Sequence, residues 1–579
     1  MYIICVATDY DGTLAHDGAV DDSTVQALEE FRRSGRKLIL VTGRELPDLE
    51  RCFSRLDLFD RVVAENGALL FNPATKKEQP LAREPPKGFV EALRAKGVEP
   101  LSVGRVIVAT WEPNEKAVLE AIRDLNLELQ IVFNKGAVMV LPAGVNKASG
   151  LKAALDDLGL SAHNVVAVGD AENDHAFMQA SGYAVAVANA LPAIKDEADL
   201  VTRGARGAGV VELIALLLER DADAFGSMLE HGAVEVGRAP DGGAILLHPH
   251  GRGALIAGLS GGGKSTLATA FLEQFAAQAF QFCVLDPEGD YADSPLAIVV
   301  GDAKAPPRLQ EALKVLESPE HSVVVDMLAI SAEERPAIVA SFLAAIADLR
   351  MRTGRPHWIL LDEAHHVLPA ERDPSITALP PTLPAMVLVT VDPATLARPA
   401  LERVDDVFAV GAKAAETIRA FCRALGIADA PLPAEAPGEG QALLWRKARE
   451  EKPQVIAARS PAQKSERHTR KYAEGELGAD KSFYFRGPKN ALNLRAQNLR
   501  LFLQIADGVD DETWLHHLGR HDYSRWMSAA IKDDELADDV RRAEDEPDPT
   551  ASRRSVREAI ERRYTAPADA SEQGSGRLS

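Results

Sequence analysis

The 579-residue sequence has only four cysteines, and none of them has a neighbour at the spacing of a metal-binding motif. Cys5 and Cys283 lie within apolar, strand-like runs, while Cys52 and Cys422 are far from both. We therefore expect buried free thiols in a reducing compartment rather than a metal site built on cysteine.

Long apolar runs and an excess of basic residues are also absent. No apolar run approaches the about 20 residues that cross a bilayer, and the opening "MYIICVA" lacks the basic segment and the length of a signal peptide. The formal net charge is −21, so nonspecific attraction to nucleic acid or to an anionic membrane is not expected. With 46% apolar and 26% charged residues, the chain is predicted to be a soluble cytoplasmic protein.

Short apolar runs alternate with amphipathic helical stretches from residue 1 to about 220. Strand-like runs such as "KLILVTG" and "NVVAVGD" end in polar residues or glycine, and the helical stretch "ASGLKAALDDLG" closes on glycine. This alternation predicts an α/β fold in which helices cover a parallel sheet, with the chemistry at the carboxyl ends of the strands. Residues 74–143 follow a different rhythm, which predicts a small α+β insert between core segments 1–73 and 144–220.

Four further segments follow this first region. Residues 230–448 contain strands and helices, and residues 449–478 form a charged stretch that suggests a linker. Residues 479–564 predict a small, mostly helical module that is rich in aromatic residues, and residues 565–579 have the composition of a disordered tail.

The aromatic-rich module allows more than one interpretation. Aromatic rings interleaved with arginine are able to stack nucleic-acid bases, but core packing with salt bridges is the favoured interpretation. His516, His517 and His521 have aspartates nearby, although their spacing fits no strong metal-site template. No function is assigned to this module.

The stretch "VATDYDGTLA" places two carboxylates at the end of the first predicted strand. Asp9 ends the strand, and a carboxylate in that position can attack phosphorus to form an aspartyl-phosphate. Asp11 opens the following turn and can exchange a proton with the leaving group. Two acidic groups at close range also need a cation, and a site of hard oxygen ligands suits Mg²⁺.

Three later motifs place further polar groups at predicted strand and helix ends. Thr42 ends the strand in "LILVTGR", where its hydroxyl can donate to a phosphoryl oxygen, and Lys147 in "GVNKASGL" begins a helix, where its charge can offset phosphate. Asp170 ends the strand in "VVAVGDAEND", and Asn173 and Asp174 follow it as a candidate metal cluster.

This ordered set of motifs resembles the haloacid dehalogenase superfamily, and specifically its Cof-like phosphatases of subgroup IIB, which carry a cap between the second and third motifs. The stretches "ENGA" at 65–68 and "VANALPAIKDEAD" near Asn189 are similar to that subgroup as well. The resemblance implies a Mg²⁺-dependent phosphatase acting on a small phosphoester, such as a sugar phosphate or a phosphoglycolate-like compound. The roles that it implies are a nucleophile at Asp9, a general acid/base at Asp11, phosphoryl clamps at Thr42 and Lys147, metal ligands at Asp9, Asp170 and the carbonyl of Asp11, and support of the metal or of Lys147 by Asp174.

A second motif, "GALIAGLSGGGKSTLATAFLEQF", reads as a strand, a glycine loop and a helix. Backbone N–H groups of such a loop wrap phosphates at a helix N-terminus, where the helix dipole favours anions. The phosphate-binding candidates are Gly258, Gly261, Gly262, Gly263, Lys264, Ser265 and Thr266, with Ser265 also a ligand of Mg²⁺. The later strand in "HWILLDEAHHVLP" ends at Asp362, a second candidate Mg²⁺ ligand, and Glu363 is placed to orient an attacking water.

The stretches "FCVLDPEGDY" and "DEAHHVLP" make residues 230–448 similar to the HerA and FtsK branch of P-loop ATPases, which have a RecA-like α/β fold. That branch forms hexameric rings that translocate DNA or protein, so the resemblance implies ATP as a ligand and a homo-oligomer. The branch has a polar sensor, often glutamine, near Val391, where this sequence offers only Thr390. Arg403 is the candidate arginine finger, and His365 and His366 are interpreted as polar residues of a helix start.

Three hypotheses remain open from the sequence. The favoured one is a phosphatase fused to an ATP-binding domain that regulates or powers it. The second is an ATP-driven nucleic-acid translocase with an accessory phosphatase, and the third is a signalling scaffold in which nucleotide gates the phosphatase. The acidic charge and the missing sensor disfavour the translocase, and no membrane partner is expected.

Overall fold

The computed structural model describes residues 2–134, 136–226, 232–370, 385–447, 451–461, 477, 481–531 and 533–564. We call residues 2–226 the first domain, residues 232–461 the second domain and residues 481–564 the third domain. The predicted tail at 565–579 lies outside the described residues, as does most of the predicted linker. Within the described part of the chain, no helix is long and apolar enough to cross a membrane.

The first domain is built on an eight-stranded sheet with the order β12-β11-β10-β1-β2-β3-β4-β5. Its strands are β1 (Cys5–Thr8), β2 (Lys37–Val41), β3 (Arg61–Ala64), β4 (Leu69–Asn72), β5 (Lys77–Pro80), β10 (Val165–Gly169), β11 (Tyr183–Ala186) and β12 (Leu200–Val201). The strands from β12 to β3 are parallel, and β4 and β5 add an antiparallel edge. The α/β fold with a parallel sheet, predicted for this part of the chain, is confirmed.

Helices cover this sheet because their apolar faces, such as Leu28 and Phe31 of α1, are buried against it. The helices of the first domain are α1 (Asp22–Arg33), α2 (Leu46–Cys52), α3 (Lys87–Ala95), α4 (Glu115–Asp124), α5 (Lys147–Leu158), α6 (His175–Gln179), α7 (Pro192–Asp196) and α8 (Gly207–Arg220).

An insert between β5 and α5 forms a separate small layer, and we call residues 87–142 the cap. The cap has a four-stranded antiparallel sheet with the order β6-β7-β9-β8. Its strands are β6 (Ser102–Val103), β7 (Val108–Trp111), β8 (Leu129–Asn134) and β9 (Ala137–Pro142). Helices α3 and α4 pack on one face of this sheet, while Ile107 and Met139 of the cap cluster with Ala68 of the core.

The second domain contains an eleven-stranded sheet with the order β14-β13-β23-β22-β21-β15-β20-β19-β16-β18-β17. Its strands are β13 (Val234–Arg238), β14 (Ala244–Leu247), β15 (Gly253–Ala257), β16 (Phe282–Asp286), β17 (Ile298–Val300), β18 (Val323–Asp326), β19 (Trp358–Leu361), β20 (Met386–Thr390), β21 (Val404–Ala409), β22 (Gln441–Arg446) and β23 (Gln454–Ala458). The strands from β21 to β17 are parallel. Strand β23 lies within the stretch predicted as a linker.

The helices of the second domain flank the parallel part of its sheet. They are α9 (Lys264–Ala277), α10 (Leu309–Glu317), α11 (Arg335–Thr353), α12 (Arg398–Leu401) and α13 (Ala414–Leu425).

The third domain is mostly helical, with one short antiparallel pair of strands. Its elements are β24 (Phe483–Phe485), β25 (Leu494–Ala496), α14 (Leu499–Gly508), α15 (Asp511–Leu518), α16 (Asp522–Trp526), α17 (Asp534–Glu544) and α18 (Pro549–Tyr564). Phe483, Phe502, Trp514 and Tyr523 are buried in one cluster, which agrees with the interpretation of the aromatic residues as core.

Asn164 joins the first and second domains at a buried contact. Its Nδ2 donates to the carbonyl oxygen of Tyr2 at 2.8 Å, and its Oδ1 lies 3.1 Å from Nε2 of His357. The backbone N–H of Gln281 donates to Nδ1 of His357 at 2.9 Å, so the Nε2–H of a neutral imidazole donates to Asn164. Burial lowers the pKa of His357 well below its usual range, which keeps the ring neutral.

Replacing Asn164 with leucine is expected to destabilise the protein. The change leaves the Tyr2 carbonyl and the His357 N–H buried without partners, and each costs about 1–3 kcal/mol. We expect the free energy of unfolding to fall by about 2–6 kcal/mol in denaturant titrations. Gln310→Leu, which replaces an exposed amide on α10, is the matched control; an equal effect of both changes would contradict this account.

Candidate active site

The three aspartate and threonine motifs of the first domain meet at one edge of its sheet. Asp9 follows β1, Thr42 follows β2 and Asp170 follows β10, and these strands are adjacent and parallel. Because parallel strands end at the same edge, the fold brings these side chains together. All three residues are buried.

Lys147 connects two of the carboxylates at this edge. It is the first residue of α5, and the side chain of Asn146 caps that helix. Its Nζ donates to Asp9 Oδ1 and to Asp174 Oδ1, at 2.6 Å in each case. Burial alone would lower the pKa of Lys147, but the two carboxylates raise it above its usual range, so the ammonium form is retained.

Asp9 lies at the centre of the acidic group. Burial, together with the charge of Asp174, raises the pKa of Asp9 to about 7, although Lys147 opposes the shift. Carboxylate oxygens of Asp9, Asp170 and Asp174 lie within 4.8 Å of one another. These are hard oxygen donors of the kind that bind Mg²⁺.

Asp174 and Asp170 differ in how their oxygens are used. Oδ2 of Asp174 accepts the backbone N–H groups of Asp170 and Ala171 at 2.8 and 2.9 Å, while its Oδ1 accepts Lys147. Oδ1 of Asp170 accepts Thr13 Oγ1 at 3.4 Å. A Cβ at Gly12 would lie 2.4 Å from Asp170 Oδ2, so a glycine is needed for the close approach of this turn to Asp170.

Asp11 is paired with Arg44, a residue for which the sequence predicted no role. Nε and Nη2 of Arg44 donate to the two carboxylate oxygens of Asp11, each at 2.7 Å. Nη1 of Arg44 donates to Asp48 at 2.7 Å. The hydrogen bonds to Asp11 raise the pKa of Arg44 further above its usual range. Arg44 lies two residues after Thr42, and this proximity in sequence was the signal that could have identified Arg44 as a residue of the site.

The "ENGA" stretch forms a 3₁₀ turn beside the site, Glu65–Gly67. From the sequence, this stretch is similar to the phosphatase subgroup, but no role follows from that similarity. The backbone N–H of Asn66 donates to the Thr42 carbonyl oxygen at 2.9 Å, and Asn66 Oδ1 accepts Nδ2 of Asn173 at 3.2 Å. Asn173 is thus held beside the cluster.

The glycine loop predicted as a phosphate site joins β15 to α9 in the second domain. Gly261 and Gly263 have positive φ, and beyond their chain neighbours no atom of the described residues lies within 4 Å of a Cβ built at either position. Lys264 is buried at the start of α9, and its Nζ donates to the carbonyl oxygen of Leu259 at 3.3 Å. Of the two hydroxyl residues that follow, Ser265 is half-buried and Thr266 is exposed.

Asp362 follows β19, and β20 lies between that strand and β15. Asp362 is buried, and its Oδ2 has no hydrogen-bond partner among the described residues. Burial, reinforced by Asp286 and Asp290, raises the pKa of Asp362 well above its usual range. The carbonyl oxygen of Arg403 accepts the N–H of Gly253 at the start of β15, so Arg403 lies at the opposite end of that strand from the glycine loop.

His365 contacts both the candidate water-orienting residue and the residue at the sensor position. Its Nδ1 lies 3.3 Å from Glu363 Oε2 and 3.3 Å from Thr390 Oγ1. It lies in a 3₁₀ turn, Ala364–His366, which directly follows Glu363.

Comparison with known proteins covers the first domain. A family model of haloacid dehalogenase-like hydrolases matches residues 6–105 and 94–214. The chain is 33% identical over 224 residues to phosphoglycolate phosphatase of Methanothermobacter thermautotrophicus, covering 36% of this chain and 96% of the relative. It is 32% identical over 225 residues to phosphoglycolate phosphatase 2 of Saccharolobus solfataricus, covering 37% and 92%.

Among solved structures, the sucrose-phosphatase of Synechocystis sp. PCC6803 matches with 18% identity and a TM-score of 0.30, covering 37% of this chain and 98% of that one. The two sequence relatives are covered over nearly their whole length, and the motif residues converge at one edge of the sheet. Through its first domain, the chain belongs to the haloacid dehalogenase-like hydrolases.

Proposed function

We propose that the first domain is a phosphatase that hydrolyses a small phosphoester through an aspartyl-phosphate on Asp9. The observation that carries this proposal is the buried Asp9 carboxylate held by Lys147 at the carboxyl edge of the sheet. The names of the two relatives support a compact substrate of the phosphoglycolate class. A sugar phosphate is the alternative substrate class.

In the proposed reaction an oxygen of Asp9 bonds to phosphorus while the bond to the leaving oxygen breaks. Asp11 gives the leaving oxygen a proton, and its carboxylate then takes a proton from the water that attacks the phospho-aspartate. Lys147 and the Thr42 hydroxyl offset the charge of the phosphoryl oxygens. Arg44 donates one hydrogen bond to each carboxylate oxygen of Asp11, so it orients the carboxylate and leaves a lone pair on each oxygen for these transfers.

The acidic group fits a divalent cation. Asp9, Asp170 and the carbonyl of Asp11 are the proposed ligands, and Mg²⁺ would supply positive charge next to the phosphoryl oxygens. Asp174 already accepts Lys147 and two backbone N–H groups. We therefore assign Asp174 chiefly to holding Lys147 and the backbone at Asp170.

Asp9→Asn is expected to reduce phosphoester hydrolysis by at least about 10³-fold, because an amide cannot serve as the nucleophile. The measurement is phosphate release from a panel of phosphoesters, including phosphoglycolate, in the presence of Mg²⁺. Asp17→Asn, which neutralises a highly exposed carboxylate nearby, is the control. Hydrolysis that survives Asp9→Asn at the wild-type rate would refute the proposal.

Metal affinity is expected to rise with pH. Since the pKa of Asp9 is about 7 without a metal, a proton competes with the cation below pH 7, and the competition ends as Asp9 ionises. We expect the association constant for Mg²⁺ to increase about tenfold from pH 6 to pH 8 in calorimetric titrations. Asp9→Asn should flatten this dependence, and an affinity that falls with pH would contradict the assignment.

We further infer that the second domain binds and hydrolyses ATP, with the phosphates in the glycine loop and Mg²⁺ between Ser265 and Asp362. Support comes from the open loop and from Oδ2 of the buried Asp362, which has no hydrogen-bond partner in the described part of the chain and favours a nearby cation. Glu363 would orient the attacking water. The family match ends at residue 214, so this inference stands on the geometry of the second domain.

Lys264→Ala is expected to weaken binding of a fluorescent ATP analogue by about 100-fold, since the lysine charge offsets the phosphates. Lys304→Ala, at an exposed lysine of the same domain, should leave binding unchanged. Unaltered ATP binding in Lys264→Ala would exclude this site. If ATP changes the rate of phosphoester hydrolysis in the wild type but not in Lys264→Ala, the nucleotide gates the phosphatase. Salt-sensitive DNA binding would instead favour the translocase.

A further inference from the structure

We propose that Glu65 is a latch that holds the cap closed over Asp9 and transmits this closure to the catalytic loops. The inference rests on the proposed phosphatase function and adds to it that the cap covers the substrate. Glu65 belongs to the core, yet its carboxylate is directed at the cap, and the residue is only 1% exposed.

On the cap side, the carboxylate binds the turn between β6 and β7. Oε1 of Glu65 accepts the N–H of Arg105 at 2.8 Å, and Oε2 accepts the N–H groups of Val106 and Ile107 at 2.8 and 3.0 Å. The turn itself is closed by the N–H of Gly104, which donates to the carbonyl oxygen of Ile107 at 2.9 Å. Hydrogen bonds to an ionised acceptor are stronger than neutral ones, so these three bonds attach the turn to one side chain of the core.

The cap turn is shaped to receive this carboxylate. A Cβ at Gly104 would lie 2.6 Å from Oε1 of Glu65. Any larger residue at position 104 would therefore push the carboxylate away from the N–H groups that it accepts.

On the core side, the backbone of Glu65 and its neighbour bind the loop after β2. The N–H of Glu65 donates to the carbonyl oxygen of Arg44, and the N–H of Asn66 donates to that of Thr42, each at 2.9 Å. The side chain of Asn66 accepts from Asn173, which lies beside the acidic group. The turn therefore contacts two of the catalytic loops directly.

The same turn packs against the helix start that carries Lys147. A Cβ at Gly67 would lie 1.8 Å from the carbonyl oxygen of Asn146 and 3.0 Å from the N of Lys147. Glu65, Asn66 and Gly67 have φ values of 52°, 55° and 104°. Non-glycine residues in this region are strained and persist where the surrounding structure holds them, which here means the cap on one side and the loops on the other.

Because this turn contacts both the cap and the catalytic loops, substrate binding that stabilises the closed cap also stabilises the groups that perform the reaction. Glu65 contacts no reacting atom in this scheme and is a positioning residue. When the latch opens, the closed and binding-competent fraction falls, and the apparent affinity falls with it.

The test uses Glu65→Gln in the full-length protein. Glutamine keeps one acceptor oxygen but turns a donor NH₂ group toward a cap N–H. We expect hydrogen exchange of the peptide amides at 105–107 to accelerate about tenfold as the latch opens. The KM for the phosphoester should rise about tenfold while kcat changes less than about threefold.

Two further variants separate the latch from general damage to the turn. Glu78→Gln is the matched control, because Glu78 accepts Nε of Arg105 at 3.1 Å from an exposed position and is expected to contribute little. Gly104→Ala disturbs the same carboxylate from the cap side and should reproduce the effects of Glu65→Gln. It also keeps the test available if Glu65→Gln fails to fold.

Unchanged exchange at 105–107 in both Glu65→Gln and Gly104→Ala would overturn the latch. A fall in kcat with KM and exchange unchanged would also overturn it, because Glu65 would then act on the core loops alone. If the wild type hydrolyses no phosphoester, the proposed function fails, but the exchange measurement still decides whether Glu65 holds the cap.

Discussion

The arrangement of the first domain depends on one buried ammonium group, that of Lys147. It lies between Asp9 and Asp174, which follow different strands of the sheet, so a single charge joins three segments distant in sequence. Removing one partner from a buried ion pair typically costs about 3–5 kcal/mol, because the other charge stays buried and uncompensated. Asp170 brings the number of clustered carboxylates to three against this one ammonium group, and a divalent cation is the charge that would bring the cluster to neutrality.

The positions of the catalytic candidates were predictable because they depend on local patterns. Asp9, Thr42 and Asp170 each close an apolar run, and the ends of parallel strands share one edge of a sheet. The partners of these residues were harder to predict. Arg44 reaches Asp11 across 33 positions, and Glu65 reaches the cap across 40 to 42 positions. Both contacts depend on the paths of loops, which hydrophobic periodicity does not encode.

In the second domain too, local patterns predicted individual strands but not the order of the strands across the sheet. The sequence indicated the strands that precede the glycine loop and Asp362, but not that β20 lies between them. The position of β20 between the two strands places Thr390 next to both the glycine loop and the segment after Asp362. The carbonyl oxygen of Thr390 accepts the N–H of Gly258, and its hydroxyl lies beside His365. The interpretation of His365 as a helix-start residue therefore described its backbone and missed its contacts. In contrast to Asp9, Asp362 has no buried lysine bonded to its carboxylate among the described residues.

Helix α5 connects the catalytic edge of the first domain to the second domain. It begins at Lys147 and is capped at Gly159, whose carbonyl oxygen accepts Nη2 of Arg355 at 2.8 Å. Arg355 precedes β19, the strand that Asp362 follows. A helix of 12 residues is about 18 Å long, and a tilt of about 3° about one end moves the other end by about 1 Å. A misplacement of that size can cost about 100-fold in rate. A small tilt of α5 therefore displaces the ammonium group of Lys147. The stiffness of the contact between Gly159 and Arg355 limits how accurately that group is positioned.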